Sequence, residues 1–217
     1  MFKKFKWAWG LLLLTLITGV MTLLQFGADA QIPTHWNAMG EVDGWSSPTF
    51  AFLLMPGVQF LMILIFALLP KLEPRQENIS KSSKAIQAIV VGTVGLMAVV
   101  QAAIIAGAYG HEPMGPKTII AGVGIMLSVI GNYMTKLRSN FFIGIRTPWT
   151  LSSDTVWKKT HRLGARLFVI AGAIIFAGSF FVETAYLSGL LLAVILPTTA
   201  YIVYYSWRIW QEEQAET

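Results

Sequence analysis

Six long apolar segments separate the polar parts of this chain, and they limit what it can fold into. They lie near residues 7–27, 50–69, 86–109, 118–135, 165–183 and 187–206. Each is long enough to cross a hydrocarbon core of about 30 Å as a helix, and a helix satisfies its own backbone hydrogen bonds in lipid. Only 12% of the residues are charged, whereas a soluble domain carries roughly 25%. The sequence therefore predicts an all-α, polytopic membrane bundle of six transmembrane helices, forming a single integral membrane domain over residues 1–217.

The basic residues predict the orientation of this bundle. Fifteen of the sixteen lysines and arginines lie before the first segment, around the second and fourth connections, or after the sixth segment; Lys117 is the exception. Lys3, Lys4 and Lys6 precede the first segment. The positive-inside rule then places both termini in the cytoplasm. Because the basic residues lie between apolar segments and not on one folded face, the pI of about 9.5 does not indicate direct nucleic-acid binding.

The first outer connection, residues 28–49, is longer than a turn and is predicted to be an extracytoplasmic loop. Gly40 and Gly44 are able to adopt positive φ there. One interpretation is a compact cap on the helix ends; another is a recognition surface for an extracellular ligand. A metal site is a weak third alternative, because one histidine and two acids lack a fixed spacing. The ligand-facing candidates are His35, Trp36, Asn37, Glu41 and Asp43.

The most elaborate polar segment is the predicted cytoplasmic loop at residues 136–164, which contains the run G-I-R-T-P-W-T. Pro148 disfavours helical backbone at Thr147, so an extended or turn geometry is expected there. The candidates for a cytoplasmic output surface, or for a structural clasp beneath the bundle, are Asn140, Arg146, Thr147, Trp149, Asp154, Trp157 and His161.

A short interfacial helix is predicted near 153–163 within this loop. Ser152 or Ser153 would cap it, Asp154 would lie favourably in its first turn, and Gly164 would hinge it to the fifth span. Trp157 and His161 are four residues apart and would share a face. Three roles stay open: an amphipathic helix on anionic lipid, a protein-docking surface, or a catalytic or transport site.

Few polar residues interrupt the apolar segments. Asn132, Gln101 and Gln59 do so, but no charged residue lies near the middle of a segment, which weighs against an ion-coupled transporter. Asn132 is interpreted as a hydrogen-bonding contact between helices, with a functional site as the alternative. The chain has no cysteine and none of the common hydrolase or phosphate-loop motifs, so neither an enzyme nor a cofactor or metal is predicted.

Residues 144–151, G-I-R-T-P-W-T-L, followed by Val156 and Trp157, resemble the hallmark of the SdpI family of bacterial membrane immunity proteins. Residues 32–44, I-P-T-H-W-N-A-M-G-E-V-D-G, resemble an uncharacterised membrane domain that often precedes it. The resemblance implies a multi-pass protein of the bacterial inner membrane that protects against a secreted, membrane-active peptide toxin. It also implies a second partner, a cytoplasmic transcriptional repressor held at the membrane when toxin is present.

Two other classes of function stay open at this stage. A small exporter or flippase would use Asn132 and the loop arginines to line a path. A membrane-bound enzyme acting on lipid or peptide would use His161 or His35 as a base.

Overall fold

A computed structural model describes residues 5–111 and 114–216. Lys3, Lys4 and Glu112 lie outside the described residues. In chain order the elements are α1 (Lys6–Leu23), β1 (Ile32–Trp36), β2 (Val42–Ser46), α2 (Pro48–Leu72), α3 (Gln76–Lys81), α4 (Ser83–Ala108), α5 (Met114–Met134), α6 (Pro148–Ser152), α7 (Asp154–Phe181), a 3-10 turn (Thr184–Tyr186) and α8 (Leu187–Ala215).

Within the described part of the chain, six helices are long and apolar enough to cross a membrane, namely α1, α2, α4, α5, α7 and α8. The predicted polytopic helical bundle is therefore confirmed. The helices are arranged in sequence-local groups: α1, α2 and α4 pack together, α5 lies between α4 and α7, and α7 pairs with α8.

The two ends of the bundle carry different structures. At one end, β1 and β2 form an antiparallel hairpin, residues 32–46, that packs against α2 and α4. Buried Ile32, Phe52 and Ile104 form a small apolar core beneath it. At the other end lie α3 and the segment at residues 135–153, which we call the motif loop. A second and larger core reaches this end, and it includes Trp157, Met134 and Leu137.

Helices α5 and α7 approach each other closely through glycines. A Cβ atom at Gly124 would lie 2.6 Å from the Phe176 nitrogen, and one at Gly131 would lie 2.8 Å from the Ala165 oxygen. A Cβ at Gly172 would lie 2.7 Å from the Ser128 nitrogen. Backbone contact of this kind is the usual means by which small residues bring membrane helices together. This contact fixes α7, and with it the motif loop, relative to α5.

The prediction of a separate short helix near 153–163 is wrong, because these residues form the start of a longer helix. Helix α7 begins at Asp154 and continues without a break to Phe181. Gly164 is not a hinge. It lies inside α7, where a Cβ would approach Ile145 Cδ1 at 2.5 Å and Met134 Sδ at 3.0 Å. The glycine is therefore needed for close packing, and the motif loop covers the buried face of the first turns of α7.

The outer loop contains a β-hairpin, which the sequence analysis did not predict. Gly40 adopts φ +84° at the hairpin tip, as expected, whereas Gly44 has no positive φ. Gly44 is instead paired with His35 in the strand register, and a Cβ there would lie 2.9 Å from the His35 Cβ.

Candidate functional site

The hairpin presents a small polar cluster on its exposed face. The Nδ1 atom of His35 lies 2.5 Å from Oδ1 of Asp43. The Asn37 side chain orders the tip: its Oδ1 accepts hydrogen bonds from the backbone nitrogens of Met39 and Glu41, at 2.9 and 3.0 Å. Its Nδ2 donates to Glu41 Oε2 at 3.0 Å. Four of the five sequence-predicted residues therefore form two side-chain pairs on one hairpin.

The fifth predicted residue, Trp36, anchors the hairpin to the bundle. A Cβ atom at Gly115 would lie 3.1 Å from the Trp36 ring, and one at Gly107 would lie 3.5 Å from it. At the tip, a Cβ at Gly40 would collide with the side chain of Thr184, in the turn between α7 and α8. The hairpin thus contacts α4, α5 and the α7–α8 turn.

The exposed face of the hairpin combines acids with large apolar side chains. His35, Glu41 and Asp43 are exposed, and Trp45 and Met39 expose more than half of their surface. No group of three histidine, cysteine or acidic side chains with metal-binding geometry occurs among residues 5–111 and 114–216. The hairpin can therefore offer hydrogen bonds, negative charge and aromatic contact to a ligand.

At the opposite end, Asn140 organises the motif loop. It is completely buried, and its Oδ1 accepts hydrogen bonds from the backbone nitrogens of Phe142 and Ile143, at 2.9 and 2.7 Å. Its Nδ2 donates to the carbonyl oxygens of Arg138 and Ile143, at 2.8 and 2.9 Å. All the hydrogen-bonding capacity of the Asn140 side chain therefore folds its own loop.

Trp157 and His161 hold the motif loop against α7. Their rings stack with centroids 4.0 Å apart, and both residues are 1% exposed. Trp157 Nε1 donates to the Leu137 carbonyl oxygen at 2.9 Å. Gly144 packs on this pair with φ +118°, and a Cβ there would lie 2.5 Å from His161 Nε2. Glycine is required at this position by both its backbone angle and the lack of space.

Both ring nitrogens of His161 are occupied. Nε2 accepts the Ile145 N–H at 3.1 Å, so Nδ1 carries the proton and donates to the Trp157 carbonyl oxygen at 2.9 Å. This is a neutral, structural histidine with no nitrogen free to act as a base. The geometry therefore gives no support to an enzyme built on His161.

Thr147 joins the motif loop to α8. It is extended, with φ −101° and ψ 162°, as its position before proline predicts, and it forms a capping box with Thr150 at the start of α6. Its Oγ1 also lies 3.1 Å from Ser206 Oγ, in α8. Ser153 caps α7 by accepting hydrogen bonds from Thr155 and Val156, which confirms the predicted cap.

Sequence analysis missed Glu73 and Arg75, which join the end of α2 to the motif loop. Glu73 is 1% exposed, and its carboxylate accepts hydrogen bonds from the backbone nitrogens of Arg75, at 2.9 Å, and Phe141, at 3.0 Å. The Arg75 guanidinium donates to Ser139 Oγ and to the Leu151 carbonyl oxygen. The one available signal was an acid directly after an apolar segment, in a connection with four basic residues and one other acid.

We call this largely buried assembly the clasp, and it consists of Glu73, Arg75, Asn140, Gly144, Thr147, Trp157 and His161 with their hydrogen-bond partners. The structure thus brings together Asn140, Thr147, Trp157 and His161 from the predicted set. Arg146 and Asp154 are exposed and Trp149 is half-buried. Arg146 donates to the Phe141 carbonyl oxygen at 2.7 Å.

The polar residues inside the spans do not line a common path. Gln59 is buried and donates to Thr15 Oγ1 and the Val94 carbonyl oxygen, at 3.2 and 3.0 Å, so it joins α2 to α1 and α4. Asn132 is exposed on α5, beside a shallow cleft that also contains Ser128 and Phe176. It does not make the predicted contact between helices within the part of the chain that the structure describes.

Comparison with known proteins finds one family model that matches the region of the motif loop and another that matches the region of the hairpin. Residues 136–206, which contain nearly all of the motif loop, α7 and most of α8, match the model of the SdpI/YfhL protein family. Residues 10–60, which contain most of α1, the hairpin and half of α2, match a domain of unknown function, DUF1648.

One curated relative matches most of the chain. It is "Immunity protein SdpI" of Bacillus subtilis (strain 168), 31% identical over 179 residues, which cover 81% of this chain and 84% of the relative. No solved structure matches significantly. On these similarities and its six apolar helices, the chain is a multi-pass bacterial membrane protein that belongs to the SdpI/YfhL family.

Proposed function

We propose that this chain is a membrane immunity protein that protects its cell against a secreted, membrane-active peptide toxin. The observation that carries the proposal is the 31% identity to an immunity protein over 81% of the chain. The two family models match the hairpin and nearly all of the motif loop. The clasp and the glycine-mediated packing of α5 on α7 supply a rigid frame between these two elements.

The toxin would meet the hairpin. The positive-inside rule assigns the motif loop to the cytoplasm, so the hairpin faces the outside of the cell, and both termini are cytoplasmic. On the hairpin, the acids Glu41 and Asp43 lie beside exposed Trp45. A peptide that attacks membranes carries apolar side chains and commonly basic ones, and this surface complements both. The proposed contact residues are His35, Trp36, Asn37, Glu41 and Asp43.

The first prediction tests the hairpin. In a toxin-sensitive strain, expression of the wild type should preserve the membrane potential during toxin exposure. The Glu41→Gln/Asp43→Asn variant should need at least about ten-fold less toxin for the same depolarisation, corresponding to about 1.4 kcal/mol of lost binding. A potential-sensitive dye measures this, with membrane abundance checked by immunoblot.

The matched control is Asp29→Asn, which removes an exposed acid of the same outer segment that lies outside both strands. It should protect as the wild type does. Depolarisation that is equal with and without the wild-type protein would exclude the immunity function itself. Full protection by the double variant would exclude only the hairpin as the contact site.

We further propose that the motif loop is an output surface for a cytoplasmic repressor. The support is the difference in burial: the clasp holds the loop, while Arg146 and Asp154 are exposed and Trp149 is half-buried. Helix α7, about 42 Å long for 28 residues, starts in the clasp and ends beside the turn that the hairpin tip contacts. A displacement of the hairpin would therefore be transmitted through α7 to the motif loop.

A second prediction separates signalling from protection. The Arg146→Ala/Trp149→Ala variant should protect normally against toxin but lose about ten-fold or more of the toxin-induced transcription of the gene in its native host. The control is Trp207→Ala/Arg208→Ala, which removes the same two residue types from exposed positions on α8. Normal induction in the first variant would contradict the output role.

A further inference from the structure

A polar cavity opens beside the clasp, between α3, the end of α5 and the start of α7. Its volume is about 510 Å³, within the range of small-molecule sites. The charged side chains in its wall are those of Lys81, Arg138, Lys158, Arg162 and Asp154. Four cations face one carboxylate, so the cavity has a net positive lining.

Three of these cations have no anionic partner. Among residues 5–111 and 114–216, no carboxylate lies within ion-pair distance of Arg138, Lys158 or Arg162. Lys81 does have one: it lies 2.6 Å from Glu77 Oε1, and this hydrogen bond lowers the pKa of the Glu77 carboxyl. Like charges gathered around one cavity repel each other, and an anion between them would relieve that repulsion.

The neutral wall of the cavity belongs to the clasp. Trp157 and Ser139 line it, and so does Asn78, which donates to the Ser139 carbonyl oxygen at 2.8 Å. The cavity therefore has a fixed wall. An anion bound there would connect α3, α7 and the motif loop, which carry the four cations. Occupancy should stabilise the folded protein, because a ligand that binds only the folded state raises its stability.

We propose that this cavity binds a phosphate group through Lys158, Arg162 and Arg138. Two arginines and a lysine supply the fork-shaped and point-charge donors that phosphate oxygens accept. The phosphate belongs either to the headgroup of an anionic lipid or to a soluble phosphate compound. The site is distinct from the immunity function and does not depend on it.

The experiment uses the purified full-length protein in a neutral detergent and has two arms. One titrates inorganic pyrophosphate; the other titrates phosphatidylglycerol, with phosphatidylcholine for comparison. Each follows the melting temperature, and native mass spectrometry counts the molecules retained. The wild type should gain several degrees in at least one arm. Lys158→Gln/Arg162→Gln should weaken that binding at least ten-fold.

The matched control is Lys159→Gln/Arg166→Gln, which removes the same charges from exposed positions on α7 that do not line the cavity. It should bind as the wild type does. Stabilisation by phosphatidylglycerol alone identifies a lipid headgroup, and stabilisation by pyrophosphate alone a soluble ligand. Equal losses in the two double variants would show unspecific attraction and overturn the proposal, as would no response of the wild type. If Lys158→Gln/Arg162→Gln fails to fold, Arg138→Gln gives the same test.

Discussion

Replacing Trp157 with alanine is expected to give the largest loss of stability of any single change in the clasp. The side chain is 1% exposed, stacks on His161 and donates to Leu137. Removing a buried tryptophan side chain costs about 3–5 kcal/mol, and here the Leu137 carbonyl oxygen also loses its donor. Because proteins are stable by only about 5–15 kcal/mol, we expect a lower melting temperature in detergent and a several-fold lower abundance in the membrane.

Two further variants separate packing from the hydrogen bond. Trp157→Phe retains an aromatic ring against His161 and Gly144 but loses the donor to Leu137, so about 1–3 kcal/mol should be lost. Trp7→Ala removes the same side chain from a position that is 70% exposed and should change stability little. A melting temperature of Trp157→Ala equal to that of Trp7→Ala would show that the clasp does not hold the fold together.

Much of this part of the molecule could be predicted from local rules. The four-residue spacing of Trp157 and His161 predicts that they share a helix face, and Pro148 predicts extended backbone at Thr147. Ser153 has the side chain and the position of a helix cap. These depend on residues a few positions apart, where backbone geometry determines contact. The six spans were predictable for a similar reason, since lipid requires long apolar helices whatever their neighbours are.

The features that could not be predicted depend on distant parts of the chain. Gly164 suggests a flexible point locally, but its role is set by Met134 and Ile145, which pack against it. Glu73 is about 70 residues from its partner Phe141, and no local pattern connects the two. The hairpin was missed because its strands are five residues each and are rich in turn-forming residues. Its packing on α2 and α4 compensates for weak local propensity.

The contrast between the two ends of the bundle bears on how immunity and output are divided. At the hairpin, the paired residues His35 and Asp43 are exposed, so a substitution there should alter binding with little effect on folding. In the clasp, most of the polar groups are buried and bonded to backbone atoms, so most substitutions should act through stability. Assays that score function alone would confuse these classes, and each variant therefore needs a parallel measurement of abundance.

Glu73→Ala is expected to give the second large effect, by releasing the motif loop from the end of α2. The buried carboxylate accepts two backbone N–H groups, from Arg75 and Phe141, and hydrogen bonds to a charged group contribute about 1.5–3 kcal/mol each. We therefore expect a loss of about 3 kcal/mol or more in stability. Limited proteolysis should also cut the motif loop faster in this variant than in the wild type.

The size of the effect should follow the number of hydrogen bonds that survive. Glu73→Gln keeps one acceptor oxygen but turns an amide NH₂ toward the second backbone N–H, so its loss should lie between those of Glu73→Ala and the wild type. Glu77→Ala is the matched control, because Glu77 is exposed in α3 and pairs with Lys81 on the surface. It should change stability little, because a surface ion pair is screened by solvent. If Glu77→Ala and Glu73→Ala lower the melting temperature equally, the attachment of the loop to α2 contributes nothing specific. If only Glu73→Ala does, the acid after the second span holds the family motif in place.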